Sequence, residues 1–362
     1  MSSKKLLYTA LAFVLLCLMA HSVLAANNNQ TQKKYLVQPG EGESYYEGIA
    51  LTGVLNIGFN NYGALGIKDP TLGDIGFQYP AGYDYESLAV GWWSEGWSIF
   101  YDNEGGGFQP DADIWGDFVG KTPFVHTLSY KDFTVIESRI ISNGEDVELV
   151  HRLYYNSSYK YVILQTCILC FRSLSNVEYQ RFIDWDVWEP TIGDFANYWG
   201  YDDIRRPDLN MAVAFVNITI GAPDEMYMGT AVSPTPTDYD LDGWGDWYDR
   251  GVEDPIVKVS LRADGTTSYY DDAAVLFIWN FGNVGMGTVK EIVLVYAASE
   301  TLDELESLAS EGLGVELMDC PSVKKAVGGT VEVVEDVSDG NMFFVILLAI
   351  GLIALVYTRL PK

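Results

Sequence analysis

Residues Asp238–Asp249, DYDLDGWGDWYD, combine side-chain types and spacing that carry a specific chemistry. Asp238, Asp240 and Asp242 fall at positions 1, 3 and 5 of a twelve-residue loop. Gly243 falls at position 6, where the chain must turn sharply. The Trp244 carbonyl falls at 7, Asp246 at 9 and Asp249 at 12. Hard cations such as Ca²⁺ take six to eight oxygens, and this spacing lets one short loop supply them. The expectation is a Ca²⁺ site held by Asp238, Asp240, Asp242, Trp244, Asp246 and Asp249. The competing reading is a solvated acidic turn, which Asp and Gly also favour.

Position 12 is an Asp, shorter than the bidentate Glu of paired helix–loop–helix sites, and position 8 is Gly245. The approach, Ser233-Pro-Thr-Pro-Thr237, cannot be helical, because proline lacks a donor and restricts its neighbour. The segment resembles the isolated DxDxDG loops of dockerin and thrombospondin repeats. That resemblance implies structural calcium held weakly, with Kd on the order of 10⁻⁴–10⁻³ M as in extracellular modules.

Two further stretches set aromatics beside acids. One holds Trp92, Trp93 and Trp97; the other, Arg181–Pro190, holds Asp184, Trp185, Asp186, Trp188 and Glu189. Sugar recognition uses such platforms, with ring faces stacked on aromatics and hydroxyls bonded to acids. The five tryptophans are therefore candidate ligand-binding residues, although a sandwich core and rim are equally rich in Trp and Tyr. Asp184 and Asp186 share a strand face about 6.6 Å apart at ~3.3 Å per residue. With Glu189 they are the candidate catalytic carboxylates, since that separation suits a glycosidase acid/base pair. It suits a cation site or loop capping equally. Only His126 and His151 lie beyond the leader, so a histidine-based zinc site is excluded.

The elements that must position these residues read as strands. Ile49–Phe59, Phe133–Ser142, Asp146–Tyr155, Tyr161–Phe171, Val177–Asp186, Met211–Ile218, Ile256–Arg262, Ala273–Trp279 and Val289–Ala297 are short β-type runs punctuated by Gly, Asn, Asp and Pro. The expectation is a mainly β chain, a large antiparallel sandwich or supersandwich. Tyr161–Phe171 is apolar on both faces and should be a central strand covered on both sides. Its Cys167 and Cys170 point to opposite faces and cannot converge on a metal or bond to each other. Cys320 can pair with either or with neither. One short helix follows the last strand, with Thr301 as N-cap, Glu304 completing a capping box, a Leu302–Leu305–Leu308 stripe and Gly312 as its stop.

At the N-terminus, Lys4 and Lys5 precede an apolar run ending in Val23-Leu24-Ala25, a secretory leader over residues 1–26. A polar spacer, 27–44, should lead to an external β domain, 45–323, and a stalk, 324–341. Met342–Tyr357 is continuous apolar sequence followed by Arg359 and Lys362. Residues 342–360 are long enough for a single membrane-spanning helix with the basic tail inside. Sequons at Asn29, Asn156 and Asn217 fit glycosylation outside the cell. A net charge of −28 excludes nucleic acid as a partner. The membrane, glycans and envelope proteins remain as partners.

EGW at Glu95–Trp97, RFIDWDV at Arg181–Val187 and Ile278–Ser299 with its helix resemble a broad group of secreted or surface-anchored prokaryotic β-proteins without assigned activity. The resemblance implies a galactose-mutarotase-like sandwich and carries no catalytic residues. The leading functional expectation is a calcium-stabilised, glycosylated surface protein with an envelope-structural, adhesive or glycan-contacting role. The alternative is a surface carbohydrate-active enzyme, of glycoside-hydrolase type, using the paired carboxylates.

Overall fold

The computed structural model describes residues 48–69, 73–82, 88, 95–108, 114–185, 209–217, 225–243, 273–325 and 331–334. The chain opens with β1 (Gly48–Thr52), β2 (Asn56–Asn60), β3 (Ile67–Asp69), β4 (Gly73–Ile75) and β5 (Phe77–Gln78). It continues with β6 (Glu95–Tyr101), β7 (Glu104–Phe108), β8 (Ile114–Gly116), β9 (Phe124–Tyr130), β10 (Phe133–Ile141) and β11 (Val147–Tyr155). Next come β12 (Tyr161–Cys170), β13 (Leu174–Asp184), β14 (Met211–Asn217), β15 (Glu225–Ser233) and β16 (Asp238–Gly243). Then follow β17 (Ala273–Val284), β18 (Val289–Ser299), α1 (Leu302–Leu313), β19 (Ser322–Lys325) and β20 (Val331–Val334).

Two antiparallel sheets dominate, as the strand pattern predicts. One has seven strands in the order β14-β15-β18-β12-β11-β10-β9; the other has six, β16-β17-β13-β6-β7-β8. Side-chain alternation decides what each face buries. Along β12, Val162, Leu164, Ile168 and Cys170 enter the core between the sheets, while Tyr161, Ile163, Cys167 and Leu169 enter clusters on the opposite face. The central strand is covered on both sides, and Cys167 and Cys170 diverge as expected.

The outer cover is α1 and the segment after it. Leu305 and Ala309 of α1 are fully buried against Tyr161, Ile163, Val295 and Ala297. Burying a leucine of this kind contributes roughly 1.5–3 kcal/mol. Thr301 caps the helix, its Oγ1 accepting from the Glu304 amide at 3.2 Å. The other half of the capping box is relayed. The Thr301 amide donates to Ser299 Oγ, which donates to the Glu304 carboxylate at 2.6 Å. The helix runs past the expected stop at Gly312 to a C-cap at Gly314. Gly312 serves contact instead: a Cβ there would lie 2.5 Å from Val295 Cγ1.

Residues 315–320 then cross the outer face as a strap. Gln165 donates to the Met318 carbonyl at 2.8 Å and Arg152 to the Asp319 carbonyl at 2.8 Å, while the Met318 amide donates to Tyr154 Oη at 3.1 Å. A Cys167–Cys320 disulfide closes it, and Cys170 stays free and buried. Beneath the strap, Arg152 Nε lies 2.5 Å from Glu137 Oε2.

Two expectations change in shape, and a third falls outside the described residues. Ile49–Phe59 is a hairpin, because residues 53–55 turn and dock on the β11–β12 connection, where the Val54 amide donates to the Ser157 carbonyl at 2.8 Å. The stalk expected from Lys324 begins inside a hairpin of β19 with β20. The Ile256–Arg262 run lies outside the described residues.

Cys320→Ser tests the strap. The bridge closes a sequence separation of 153 residues, and losing a native disulfide costs about 2–5 kcal/mol. Denaturant unfolding should show that loss equally for Cys167→Ser, and limited proteolysis should cut within 315–321 in both variants.

Candidate functional site

Strand alternation brings an acid and a base into the centre of the sandwich. Glu95 opens β6 on the core side, followed two by two by Trp97, Ile99 and Tyr101. Val177, Tyr179 and Ile183 mark the core side of β13, and Arg181 stands in the same row. The register pairs Arg181 with Trp97 and Ile183 with Glu95, so acid and base are diagonal neighbours. Arg181 donates to Glu95 Oε1 from Nε at 2.8 Å and from Nη2 at 2.6 Å, and to the Gly63 carbonyl at 3.1 Å. Tyr296 of the other sheet donates to Glu95 Oε1, and the Leu65 amide to Oε2. Both ion-pair side chains have zero exposure.

Burial pushes the Glu95 carboxyl up, while the Arg181 guanidinium, Tyr296 hydroxyl and Leu65 amide oppose that rise. Burial alone would lower Arg181, but the Glu95 charge and hydrogen bond, together with Tyr296 and Tyr179, more than reverse it, so the guanidinium stays cationic. The pair thus satisfies a charge that would otherwise be prohibitive to bury.

His151 of β11 sits beside this centre, fully buried. Its Nδ1 lies 3.0 Å from Thr166 Oγ1, its ring is tilted against Trp97 at 5.3 Å, and Nε2 has no hydrogen-bond partner among the described residues. Gly63 lies so close that a Cβ there would be 2.2 Å from His151 Cδ2; its φ of +82° also requires glycine. Burial, then the Arg181 charge, holds the imidazole well below its usual pKa of 6.5. His151 is a neutral packing group.

The opposite face of β13 carries a polar ladder. Ser98 donates to Gln180 Oε1 at 3.2 Å, Gln180 to Glu178 Oε1 at 2.8 Å, and Asn280 to Glu178 Oε2 at 3.4 Å. Phe100 and Phe182 flank it, both half-buried. Ser98 and Gln180 are buried, whereas the half-buried Glu178 carboxylate and the exposed Asn280 amide can bond a hydroxyl-bearing ligand.

The expected site residues are distributed differently. Trp97 is core: its indole donates to the Tyr62 carbonyl at 2.7 Å and stands edge-on to Phe118. Trp185 is core as well, 3% exposed, donating to Thr230 Oγ1 at 3.2 Å between Phe77 and Tyr296. Neither ring is a ligand platform. Asp184 ends β13, four residues beyond Gln180. Trp92, Trp93, Asp186, Trp188 and Glu189 lie outside the described residues. Glu95 and Arg181 stand within the quoted EGW and RFIDWDV stretches, yet sequence reasoning gave them no role. The available signal was a charged residue in an otherwise apolar core row.

Asp238–Gly243 is not the opening of a curled loop. It is extended and antiparallel to β17, in register from Asp238 opposite Ile278 to Gly243 opposite Ala273. Trp244, Asp246 and Asp249 lie outside the described residues. Asn156 lies in the β11–β12 connection. Its Nδ2 donates to the Asp132 carbonyl at 3.0 Å and its Oδ1 accepts from the Ser158 amide at 2.9 Å. Asn217 ends β14 opposite Glu225, and Asn29 lies outside the described residues. Among the described residues no helix is long and apolar enough to cross a membrane; residues 342–360 and 1–26 fall outside them.

No family model and no curated protein matches the chain. Among solved structures, a bacterial glucoamylase complexed with acarbose aligns at TM-score 0.45 and 10% identity, over 79% of this chain and 38% of that one. A Synechocystis protein aligns at TM-score 0.37 and 7% identity, over 74% and 100% of the two chains. An Escherichia coli protein assigned as an aldose 1-epimerase aligns at 0.35 and 9%, over 71% and 99%. The chain thus spans 38% of the glucoamylase's length. Likenesses this distant carry no activity over.

The ion pair and the histidine give separable tests. Arg181→Met strands the Glu95 charge and should cost about 3–5 kcal/mol in denaturant unfolding, whereas Arg181→Met with Glu95→Leu should recover part of it. For His151 the folded pKa is depressed, so below pH 6.5 the unfolded chain binds a proton the folded chain refuses. Stability contributed by neutral His151 is present above that pH and falls as pH drops, by up to ~1.4 kcal/mol per pH unit. Unfolding free energies from pH 7.5 to 5 should show a shallower acid slope for His151→Phe than for the natural protein.

Proposed function

We propose that this chain is an extracellular β-sandwich protein, held at the membrane by its C-terminal apolar run, with an adhesive or glycan-contacting role. The observation that carries the reading is the Cys167–Cys320 bridge. Disulfides persist outside the reducing cytosol, which agrees with a secretory leader. The bridge also sits where an anchored domain needs it. Tension from a membrane segment at 342–360 would reach Cys320 before it reached α1. It would then pass into β12, the central strand of its seven-stranded sheet, bonded on both sides by β11 and β18. Glycan contact, on this reading, belongs to the open end of the ladder, the half-buried Glu178 and the exposed Asn280. The sealed Glu95–Arg181 centre supports the fold and touches no solvent-borne ligand.

Fractionation of cells expressing the full chain tests the reading. The natural protein should stay with the membrane, react with an impermeant amine-labelling reagent and carry an oxidised Cys167–Cys320 pair. Deleting 342–362 should release it to the medium. A cytosolic protein with both cysteines reduced would overturn the proposal.

A further inference from the structure

β9 is the last strand of the seven-stranded sheet, and among the described residues nothing pairs with its far side. Exposed sheet edges are ordinarily protected by lysine, proline, a bulge or an inward-pointing charge. β9, FVHTLSY, has no lysine, proline or acid, and it pairs with β10 in unbroken register from Phe124–Arg139 to Tyr130–Phe133. Pro123 precedes it and the Lys131–Asp132 turn ends it. Phe124, at its start, is 62% exposed, the most exposed large apolar side chain among those described.

The hairpin fixes which backbone groups face outward. Tyr130 and Phe133 close a two-residue turn, with Lys131 at φ +53°. Closing residues of such a turn bond each other, and bonding then alternates along the strands. Phe124, His126, Leu128 and Tyr130 therefore direct their amides and carbonyls to β10. Val125, Thr127 and Ser129 direct theirs outward.

We propose that this edge pairs with the same edge of a second copy, antiparallel about Thr127, making one continuous sheet from two molecules. The register follows from the alternation. With Thr127 opposite Thr127, outward-facing Val125 meets outward-facing Ser129 at both ends, and each pair exchanges two backbone bonds. Pairing stops at Pro123, which lacks an amide proton, and at the turn. In this register Phe124 stands opposite Tyr130 of the second copy, a cross-strand aromatic pair that covers the exposed ring. No charged side chain of one β9 meets a charged side chain of the other, whereas the whole chain carries −28. Two such molecules repel over most approaches, and this uncharged edge is a place where they can touch. Salt should strengthen the association by screening the repulsion.

Thr127→Cys in the full chain, purified in mild detergent, tests the register. Hydrogen-bonded antiparallel partners have Cα atoms about 5.5 Å apart, within disulfide reach. Mild oxidation should give a species of twice the mass of the reduced chain on a non-reducing gel, increasingly with added NaCl. Val119→Cys, on a turn and 54% exposed, should cross-link far less. Thr127→Pro removes an outward amide that the monomer's own sheet does not use, and should halve the native mass measured by light scattering. An intact Cys167–Cys320 bridge in each variant reports folding. A folded Thr127→Cys that stays monomeric, equal cross-linking at Val119→Cys, or a Thr127→Pro that stays dimeric would overturn the proposal.

Discussion

The Glu95–Arg181 pair is the constraint on which the arrangement of the sandwich depends. It joins three parts of the chain that share little sequence neighbourhood: the turn after β2 through Gly63 and Leu65, the six-stranded sheet through its own two residues, and the seven-stranded sheet through Tyr296. A buried ion pair is weak evidence for stability, because desolvation can exceed the Coulombic gain. Its physical contribution here is selectivity. A one-residue slip of β6 against β13 would send Glu95 or Arg181 to the opposite face and leave its partner charged and alone. The pair penalises the wrong register far more than it rewards the right one.

The centre also explains the small residues around it. Gly63 carries the carbonyl that accepts from Arg181, and its Cα lies against His151. Any side chain there would displace the imidazole from its place beside Thr166. Ser138, fully buried on β10, donates to the neighbouring Asn61 carbonyl. The turn is therefore held from both sheets by polar contacts, although most of the surrounding core is aliphatic and aromatic.

Much of this was legible in the sequence, and the boundary has physical reasons. Alternating or doubly apolar runs revealed β10 through β12, β14, β17 and β18, since burial imposes a period of two. The N-cap of α1 was legible because Thr301 satisfies the Glu304 amide within one turn. Among the strands that went unread, β7 is glycine-rich, EGGGF, and β9 is polar at an edge, where half the residues need not be apolar. Residues 238–243 read as a cation loop because Asp and Gly recur there; the strand came from pairing with β17, which local spacing does not encode. Trp97 and Trp185 read as platforms since an indole in sequence carries no mark of its burial. The partner of Cys320 and the pairing of Glu95 with Arg181 are contacts across 153 and 86 residues, decided by topology.

The double cover of the seven-stranded sheet constrains where this molecule can meet others. One face is the sandwich core, and much of the other lies beneath α1 and the strap, with Arg152, Gln165 and Tyr154 already bonded to strap backbone. A ligand at those residues would have to displace a segment fixed by a covalent bridge. Contact is cheaper where backbone or side chains still face water: along the β9 edge, and on the face of the six-stranded sheet that bears Glu178 and Asn280. The strap that secures the chain thus also divides its surface, covering one sheet while the β9 edge, Glu178 and Asn280 still meet solvent.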